Sequence, residues 1–251
     1  MGANTLIPQE QQRPRNPGAE YEANGEKVRL SAQTVVNYLV SGNGKVNEQE
    51  VMMFIQLCKY RHLNPFIREA YLVKYNNSPA TMIVGKDVFL RRAKSNPSFR
   101  GMQAGIYVLS KDGKLSQREG VFYIKDMERL VGGWCKVFVD GWETPFLHSV
   151  PLDEYLGRKN NGEINSNWTT RPATMIRKVA IVQALRDVFP ETNAQLYSAE
   201  EMGVREEDLP TAEVDANVVN ESAPVVKDKS KAPAPEKTGG GAAAALFGGA
   251  T

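Results

Sequence analysis

The chain has 251 residues, of which 41% are hydrophobic, so it can bury one large core or two small ones. No apolar run reaches the roughly 18 residues that a membrane-spanning helix needs, and the polar N-terminus lacks the apolar stretch of a secretory signal. Cys58 and Cys135 are the only cysteines. This favours reduced thiols in the cytoplasm over a disulfide framework.

Charge is distributed unevenly, although the net charge is only +2. Residues 31–199 contain 22 Lys and Arg against 15 Asp and Glu, whereas residues 200–251 contain 5 against 10. A basic body favours a polyanionic partner, although many enzymes are as basic. We therefore expect a flexible N-terminal arm (1–30), a core domain (31–200) and a disordered tail (201–251) that is first acidic and then rich in Pro, Ala and Gly.

The first part of the core reads as two helices, a hairpin and a third helix. Ser31 is placed to cap a short helix, and Asn47 to cap a longer one that ends before Pro65. The β-rich residues 69–75 and 80–84 flank the turn signal Asn-Asn-Ser-Pro, which predicts a hairpin. A short helix follows Gly85 and stops before Pro97.

The second part of the core reads as a β-meander followed by a long helix. Asp140-Gly141 forms a turn signal before the last of four predicted strands, and a short helix and a polar loop follow that strand. Because the strands occur in clusters without regular βαβ alternation, we predict an α+β fold in which an antiparallel hairpin and a meander pack with helices. The predicted strands are residues 102–110, 119–125, 132–139 and 143–150.

The long helix raises a question about its charges. Thr170 is placed as its N-cap and Pro172 in its first turn. Apolar residues cover nearly its whole circumference, which indicates a helix buried on most sides. A core accepts cations only where something anionic meets them. The helix nevertheless carries Arg171, Arg177, Lys178 and Arg186.

Two explanations of these cations are open. In the first, they extend to solvent or pair with carboxylates of the chain, such as Asp187, Asp153 and Glu154. In the second, they contact phosphates. Trp168 lies just before the helix, and rings beside cations are typical of a groove for single-stranded nucleic acid. A second basic group follows the first hairpin: Lys86, Arg91, Arg92 and Lys94.

Two segments of the sequence resemble the phage RecT/Red beta family of single-strand annealing proteins. Residues 63–102 show Leu-Asn-Pro, a strand, an apolar strand ending in Val-Gly-x-Asp, a helix and a Phe-x-Gly step. The long helix supplies the second segment, and the resemblance covers about residues 31–200. The matching positions there are Trp168, Pro172, Met175, Arg177, Lys178, Arg186, Phe189 and Pro190.

The resemblance implies a phage or prophage protein that binds single-stranded DNA and anneals it to a complementary strand without ATP. It further implies rings or helical filaments with a basic groove shared between subunits, and a partner exonuclease that makes the single strand. No cofactor is expected to be required, and assistance by Mg²⁺ is an expectation from the family alone. The implied DNA contacts are Arg177, Arg186, Lys178, Trp168, Lys86 and Arg91. Arg171 has no fixed counterpart in the family and is added as a DNA contact because it is one of the four cations of the long helix.

On this hypothesis, replacing Arg186 or Arg177 by Ala weakens DNA binding without unfolding the protein. Three alternatives stay open: a metal-dependent nuclease, a passive single-strand binding protein, and a structural protein whose cations only form salt bridges. ATP-driven strand exchange is disfavoured, since the sequence lacks a G-x-x-x-x-G-K-[ST] loop, and no catalytic residue is predicted. A nuclease would need clustered carboxylates, for which the candidates are Glu119, Asp126, Glu128, Asp140 and Glu143.

Overall fold

The computed structural model describes residues 18–158, 162–204 and 209, and it begins with a hairpin. Strands β1 (Gly18–Ala23) and β2 (Glu26–Ser31) pair antiparallel across Asn24-Gly25, two residues with positive φ. Alternate side chains of the hairpin are buried, and the Tyr21 hydroxyl donates a hydrogen bond to the Leu63 carbonyl oxygen at 2.7 Å. The prediction of a flexible arm is therefore wrong from residue 18 onward, and residues 1–17 lie outside the described residues.

Two helices follow, and both predicted caps are confirmed. The Ser31 hydroxyl accepts a hydrogen bond from the Thr34 amide at 3.1 Å. Asn47 and Glu50 form a reciprocal capping box, in which each side chain accepts from the other residue's amide. The elements are α1 (Ala32–Thr34) with a following π-helical turn (Val35–Leu39), β3 (Val40–Ser41) and α2 (Glu48–Tyr60).

The hairpin predicted at residues 69–84 and the helix after it are also confirmed. A 3₁₀ turn, Pro65–Ile67, leads into β4 (Ala70–Val73), which pairs antiparallel with β5 (Thr81–Val84). The two-residue strand β3 adds in parallel to β4 and completes a three-stranded sheet. Helix α3 (Lys86–Ser95) follows β5 directly.

The main sheet has four antiparallel strands in the order β7-β6-β8-β9. The predicted strand 119–125 is wrong: β7 lies earlier, and residues 120–127 form a loop that begins at Gly120 (φ +77°). The turn around Asp140-Gly141 is longer than two residues, since pairing resumes only at Phe146. The strands are β6 (Phe99–Ser110), β7 (Leu115–Glu119), β8 (Glu128–Val139) and β9 (Phe146–Pro151).

The long helix packs on one face of this sheet. A Cβ added to Gly133 on β8 would stand 2.6 Å from the carbonyl oxygen of Ile176, so glycine permits the close approach of helix and strand. Thr170 does not cap the long helix, because it ends a separate short helix that is capped by Asn165. The helices are α4 (Leu152–Tyr155), α5 (Ser166–Thr170), α6 (Pro172–Val188) and α7 (Pro190–Asn193).

The α+β class with antiparallel sheets is confirmed. The core continues past its predicted end at residue 200, since Val204 is buried against Tyr71, Val73 and Ile83. Residues 205–208 and 210–251, most of the predicted tail, lie outside the described residues. Within the part of the chain that the structure describes, each helix is too short or too polar to cross a membrane.

Candidate nucleic-acid interface

Helix α6 is buried on most sides, as its sequence predicts, and its cations leave it in different directions. Nine of its side chains lie in the core, among them Ile176, Val179 and Leu185. Arg171 is the N-cap residue, with φ −133° and ψ 46°, whereas Arg177, Lys178 and Arg186 lie within the helix. Each of these cations has its own partners in the structure. The four cations therefore meet four different environments.

Arg186 meets an anion supplied by the chain itself. Its guanidinium donates to both carboxylate oxygens of Glu201, at 2.7 and 3.1 Å, and to the Leu196 carbonyl oxygen at 2.9 Å. It also stands 5.0 Å from the centre of the Tyr197 ring. Burial opposes the charge on Arg186, but the hydrogen bond and charge of Glu201 outweigh it and raise the pKa of the guanidinium. The anion that this cation required is a buried carboxylate.

Residues 196–204, which we call the acidic strap, supply that carboxylate. The Tyr197 carbonyl oxygen accepts a hydrogen bond from the Val84 amide at 2.9 Å, which fixes the strap to the edge of β5. The Ser198 amide donates to Glu201 at 2.9 Å, so the turn of the strap orients the carboxylate. The strap thus packs against α6 through the contacts of Leu196, Glu200 and Glu201 with its cations.

Lys178 also contacts the strap, in a small pocket that it shares with Lys86. Its ammonium lies 2.9 Å from Oε1 of Glu200, and both side chains are mostly buried. Lys86, at the first position of α3, lines the same pocket and pairs with Asp87 at 3.0 Å. These two predicted contacts are therefore brought together, with Glu200 and Asp87 as their present partners.

Arg177 is directed at the main sheet. Its Nε donates to the Ala104 carbonyl oxygen on β6 at 3.2 Å, and the Gly120 amide donates to the same oxygen at 3.0 Å. Arg177 is half-buried. It supports the point at which the chain leaves the sheet to form the loop 120–127.

That loop forms an open groove with the start of α6. We call it the aromatic groove; its volume is about 290 Å³. Phe122 is 79% exposed on the loop, and Arg171 on the opposite wall receives support from the Asn167 side chain at 2.6 Å. Rings and cations around an open groove are suited to bases and phosphates. The lining residues are Val121, Phe122, Tyr123, Lys125, Thr170, Arg171, Pro172, Ala173 and Thr174.

Trp168 does not line this groove or any other surface. Its side chain lies in the core with 2% exposure, against Gly157, and its indole nitrogen has no hydrogen-bond partner among the described residues. The residue belongs to the short helix α5, and the side of α5 that carries Trp168 packs against the core. Sequence reasoning missed Phe122 and Tyr123, since their apolar run was assigned to a strand. Lys125 in the same run was the one sequence feature that indicated a DNA contact there, since it places a cation beside the two aromatic residues.

Arg91 lies apart from the other predicted contacts. It pairs with Glu69, a carboxylate of which only 4% is exposed. Asn24 and the Asn64 amide also donate to this carboxylate, at 2.7 and 2.6 Å. The adjacent Arg92 donates to the carbonyl oxygens of Thr192 and Arg61, and so ties α3 to α7 and to the end of α2.

The carboxylates considered for a nuclease are dispersed. Asp140 pairs with Arg100 at 2.9 Å, and the Arg100 hydrogen bond lowers the pKa of this carboxyl. Glu128 accepts a hydrogen bond from the Ile124 amide at 3.0 Å and also pairs with Arg118; these contacts lower its pKa. No group of three or more His, Cys, Asp or Glu residues in the described part of the chain is arranged to hold a metal ion.

The RecT family model matches residues 26–219, which is most of the chain. The chain belongs to the RecT family. This membership indicates single-strand annealing in DNA recombination, with binding of single-stranded DNA and oligomerisation, and RecT proteins are annealing proteins rather than catalytic enzymes. No curated protein matches the chain. The match also starts inside the first hairpin, in agreement with its place in the core.

Proposed function

We propose that this RecT protein binds single-stranded DNA and anneals complementary strands without ATP. The match to the RecT family over residues 26–219 is the observation that carries this proposal. The protein acts as a ring or helical filament, with DNA in a basic groove that continues between subunits. A phage exonuclease produces the single-stranded substrate in the bacterial cytoplasm. Annealing requires no cofactor, and the role of Mg²⁺ is limited to assisting the annealing reaction.

The aromatic groove supports this proposal. It offers two ring side chains, Phe122 and Tyr123, and two cations, Lys125 and Arg171, around one open space. Stacking of a base on an aromatic ring contributes roughly 1–3 kcal/mol. Annealing requires that bases stay available for pairing, so contacts to phosphates dominate and the exposed rings hold bases only weakly.

The Arg171 side of α6 extends the groove along the helix. Arg171, at the N-cap, and Lys178 lie seven residues apart, about 10 Å along the axis, and we call the surface between them the α6 stripe. Lys178 is joined by Lys86 in the neighbouring pocket. Phosphates bound along this stripe compete with Glu200 for Lys178. Arg177 and Arg186 contribute to DNA binding indirectly, because their described contacts hold the loop 120–127 and the acidic strap in place.

An annealing assay with two labelled complementary oligonucleotides, run without ATP, tests the proposal. The wild-type protein is expected to form duplex faster than the spontaneous reaction, and this rate is expected to fall with salt. Tight binding without faster duplex formation would identify a passive binding protein. Shortening of the labelled strands in Mg²⁺ would identify a nuclease.

Phe122→Ala tests whether the aromatic groove is the site. Because Phe122 is largely exposed, we expect an unchanged melting temperature and single-strand affinity reduced about fivefold, the equivalent of one weak stacking contact of about 1 kcal/mol. Trp142→Ala, an exposed aromatic in the β8–β9 loop, is the matched control and should leave affinity unchanged. An equal loss of single-strand affinity in the two variants would show that the aromatic groove is not the DNA-binding site.

A further inference from the structure

A second pocket lies on the other side of α3, and the groove described above does not use it. Its volume is about 180 Å³, and its walls come from the first hairpin, the end of α2, α3 and α7. Pockets for drug-sized ligands span roughly 300–1,000 Å³, so this one fits a small group rather than a nucleoside. Its lining residues are Asn24, His62, Leu63, Glu69, Val88, Arg91, Arg92, Ser95 and Thr192.

Positive charge exceeds negative charge around this pocket. Arg91 and Arg92 line it, the charge of Arg61 acts on Arg92, and Glu69 is the lining carboxylate. Burial, followed by the charge of Arg61, lowers the pKa of Arg92, although Glu69 acts in the opposite direction. An anion in the pocket would relieve this excess.

Hydrogen-bond donors are also in excess. A guanidinium has five N–H groups. The described bonds of Arg92, to Thr192 and Arg61, involve Nη1 and Nη2 and leave donors for a further acceptor. Arg91 pairs with Glu69 through Nη2, and its side chain is 43% exposed at the rim. Two forked donors at a small opening match the geometry of a phosphate group.

We propose that this pocket, the arginine pocket, binds a phosphate group, and specifically a backbone phosphate of bound single-stranded DNA. The second half of this proposal rests on the proposed function. Helix α3 makes it possible, because Lys86 starts the helix beside Lys178 while Arg91 lies about 7.5 Å further along its axis. A strand that crosses over α3 as it runs along the helix passes from the α6 stripe to the arginine pocket.

Titration calorimetry with inorganic phosphate, at constant ionic strength in chloride buffer, tests the phosphate site directly. The variant is Arg91→Gln with Glu69→Gln, which removes the pair without leaving a buried carboxylate unpaired. The matched control is Arg100→Gln with Asp140→Asn, an exposed pair that does not line the pocket. We expect saturable phosphate binding by the wild type and the control, and at least tenfold weaker binding by the pocket variant.

Ser95→Asp is a second variant, in case the double substitution does not fold. It places a negative charge on an exposed rim position and is also expected to weaken phosphate binding at least tenfold. Absence of saturable phosphate binding by the wild type, or equal binding by the wild type and the folded pocket variants, overturns the proposal.

The salt dependence of single-strand affinity separates backbone phosphate from free phosphate. Loss of one backbone contact is expected to reduce the log–log slope by about 0.7 for the pocket variant and to leave the control unchanged. Phosphate binding with an unchanged slope overturns the assignment to backbone phosphate. Phosphate binding by a wild-type protein that does not anneal strands would overturn the proposed function alone, so the two failures are distinguishable.

Discussion

Glu50 stabilises three parts of the chain with one carboxylate. It accepts hydrogen bonds from the Asn47 amide at the start of α2, from the Lys74 ammonium after β4, and from the Ala80 amide before β5. The Lys74 hydrogen bond, followed by those of the Asn47 and Ala80 amides, lowers the pKa of this carboxyl to about 2. The carboxylate therefore links the capping box of α2 to the β4–β5 hairpin.

This pKa predicts a loss of stability in acid. The ordinary value is 4.5, so between about pH 4.5 and pH 2 the unfolded chain takes up a proton that the folded chain does not. The free energy of unfolding should fall across this window, and Glu50→Gln should flatten that part of the pH dependence. Urea unfolding at several pH values measures it. Glu48→Gln, an exposed carboxylate on the same helix, is the control and should preserve the wild-type slope.

Arg186 is expected to be a stability residue first. Its side chain is 19% exposed and that of Glu201 is 4% exposed, so Arg186→Ala leaves a buried carboxylate unpaired, at a cost of roughly 3–5 kcal/mol. The sequence-based expectation is a variant that binds DNA more weakly without unfolding; the buried pair instead predicts a large loss of stability. Arg29→Ala breaks the exposed pair with Glu20 and should cost less than about 1 kcal/mol in urea unfolding. Similar costs for both variants would contradict the structural role.

At the scale of elements, the contact between α6 and the main sheet depends on a missing side chain. Gly133→Ala would press a methyl group against the Ile176 backbone, and we expect a loss of roughly 1–3 kcal/mol from overpacking. Thermal unfolding followed by circular dichroism measures it. Ser149→Ala on neighbouring β9 removes one exposed hydrogen bond to the Tyr107 hydroxyl and should melt close to the wild type. A stable Gly133→Ala protein would mean that α6 can shift away from the sheet.

Local sequence signals predicted most elements, and the failures also have local causes. The caps Ser31 and Asn47 act within three residues of themselves, so sequence alone identifies them. The first hairpin had its Asn24-Gly25 signal as well, but the polar, Pro-containing residues before it favoured an arm. The run after Gly120 has strand-like residues. Its loop conformation instead follows from the positive φ of Gly120 and the bond to Ala104.

The candidate site was predictable in composition but not in geometry. Sequence located the cations of α6, yet the partners of Lys178 and Arg186 come from a strap whose position no local pattern encodes. Trp168 preceded those cations in sequence, as a groove residue would, but the packing of α5 buries it. Helical periodicity predicts the direction in which a side chain leaves the helix, but it does not predict which residues that side chain contacts.

At the scale of the whole molecule, the two thiols report global unfolding. Cys58 on α2 and Cys135 on β8 are both fully buried. Burial raises the pKa of Cys58 and raises that of Cys135 to about 12, so reactive thiolate is scarce at neutral pH. We expect both thiols to react with a disulfide reagent only as the protein unfolds, at one common rate. Early labelling of either thiol in native buffer would reveal local opening.

The acidic strap also bears on how the chain folds as it is made. Lys178 precedes its partner Glu200 by 22 residues, and Arg186 precedes Glu201 by 15. At 5–20 residues per second, the ribosome takes roughly 1–4 s to add the intervening residues. During that interval the helix carries its cations without their carboxylates, so its final packing must wait for the strap. The core therefore completes its folding only after the acidic strap at the end of the domain has been synthesised, and not when the longest helix has formed.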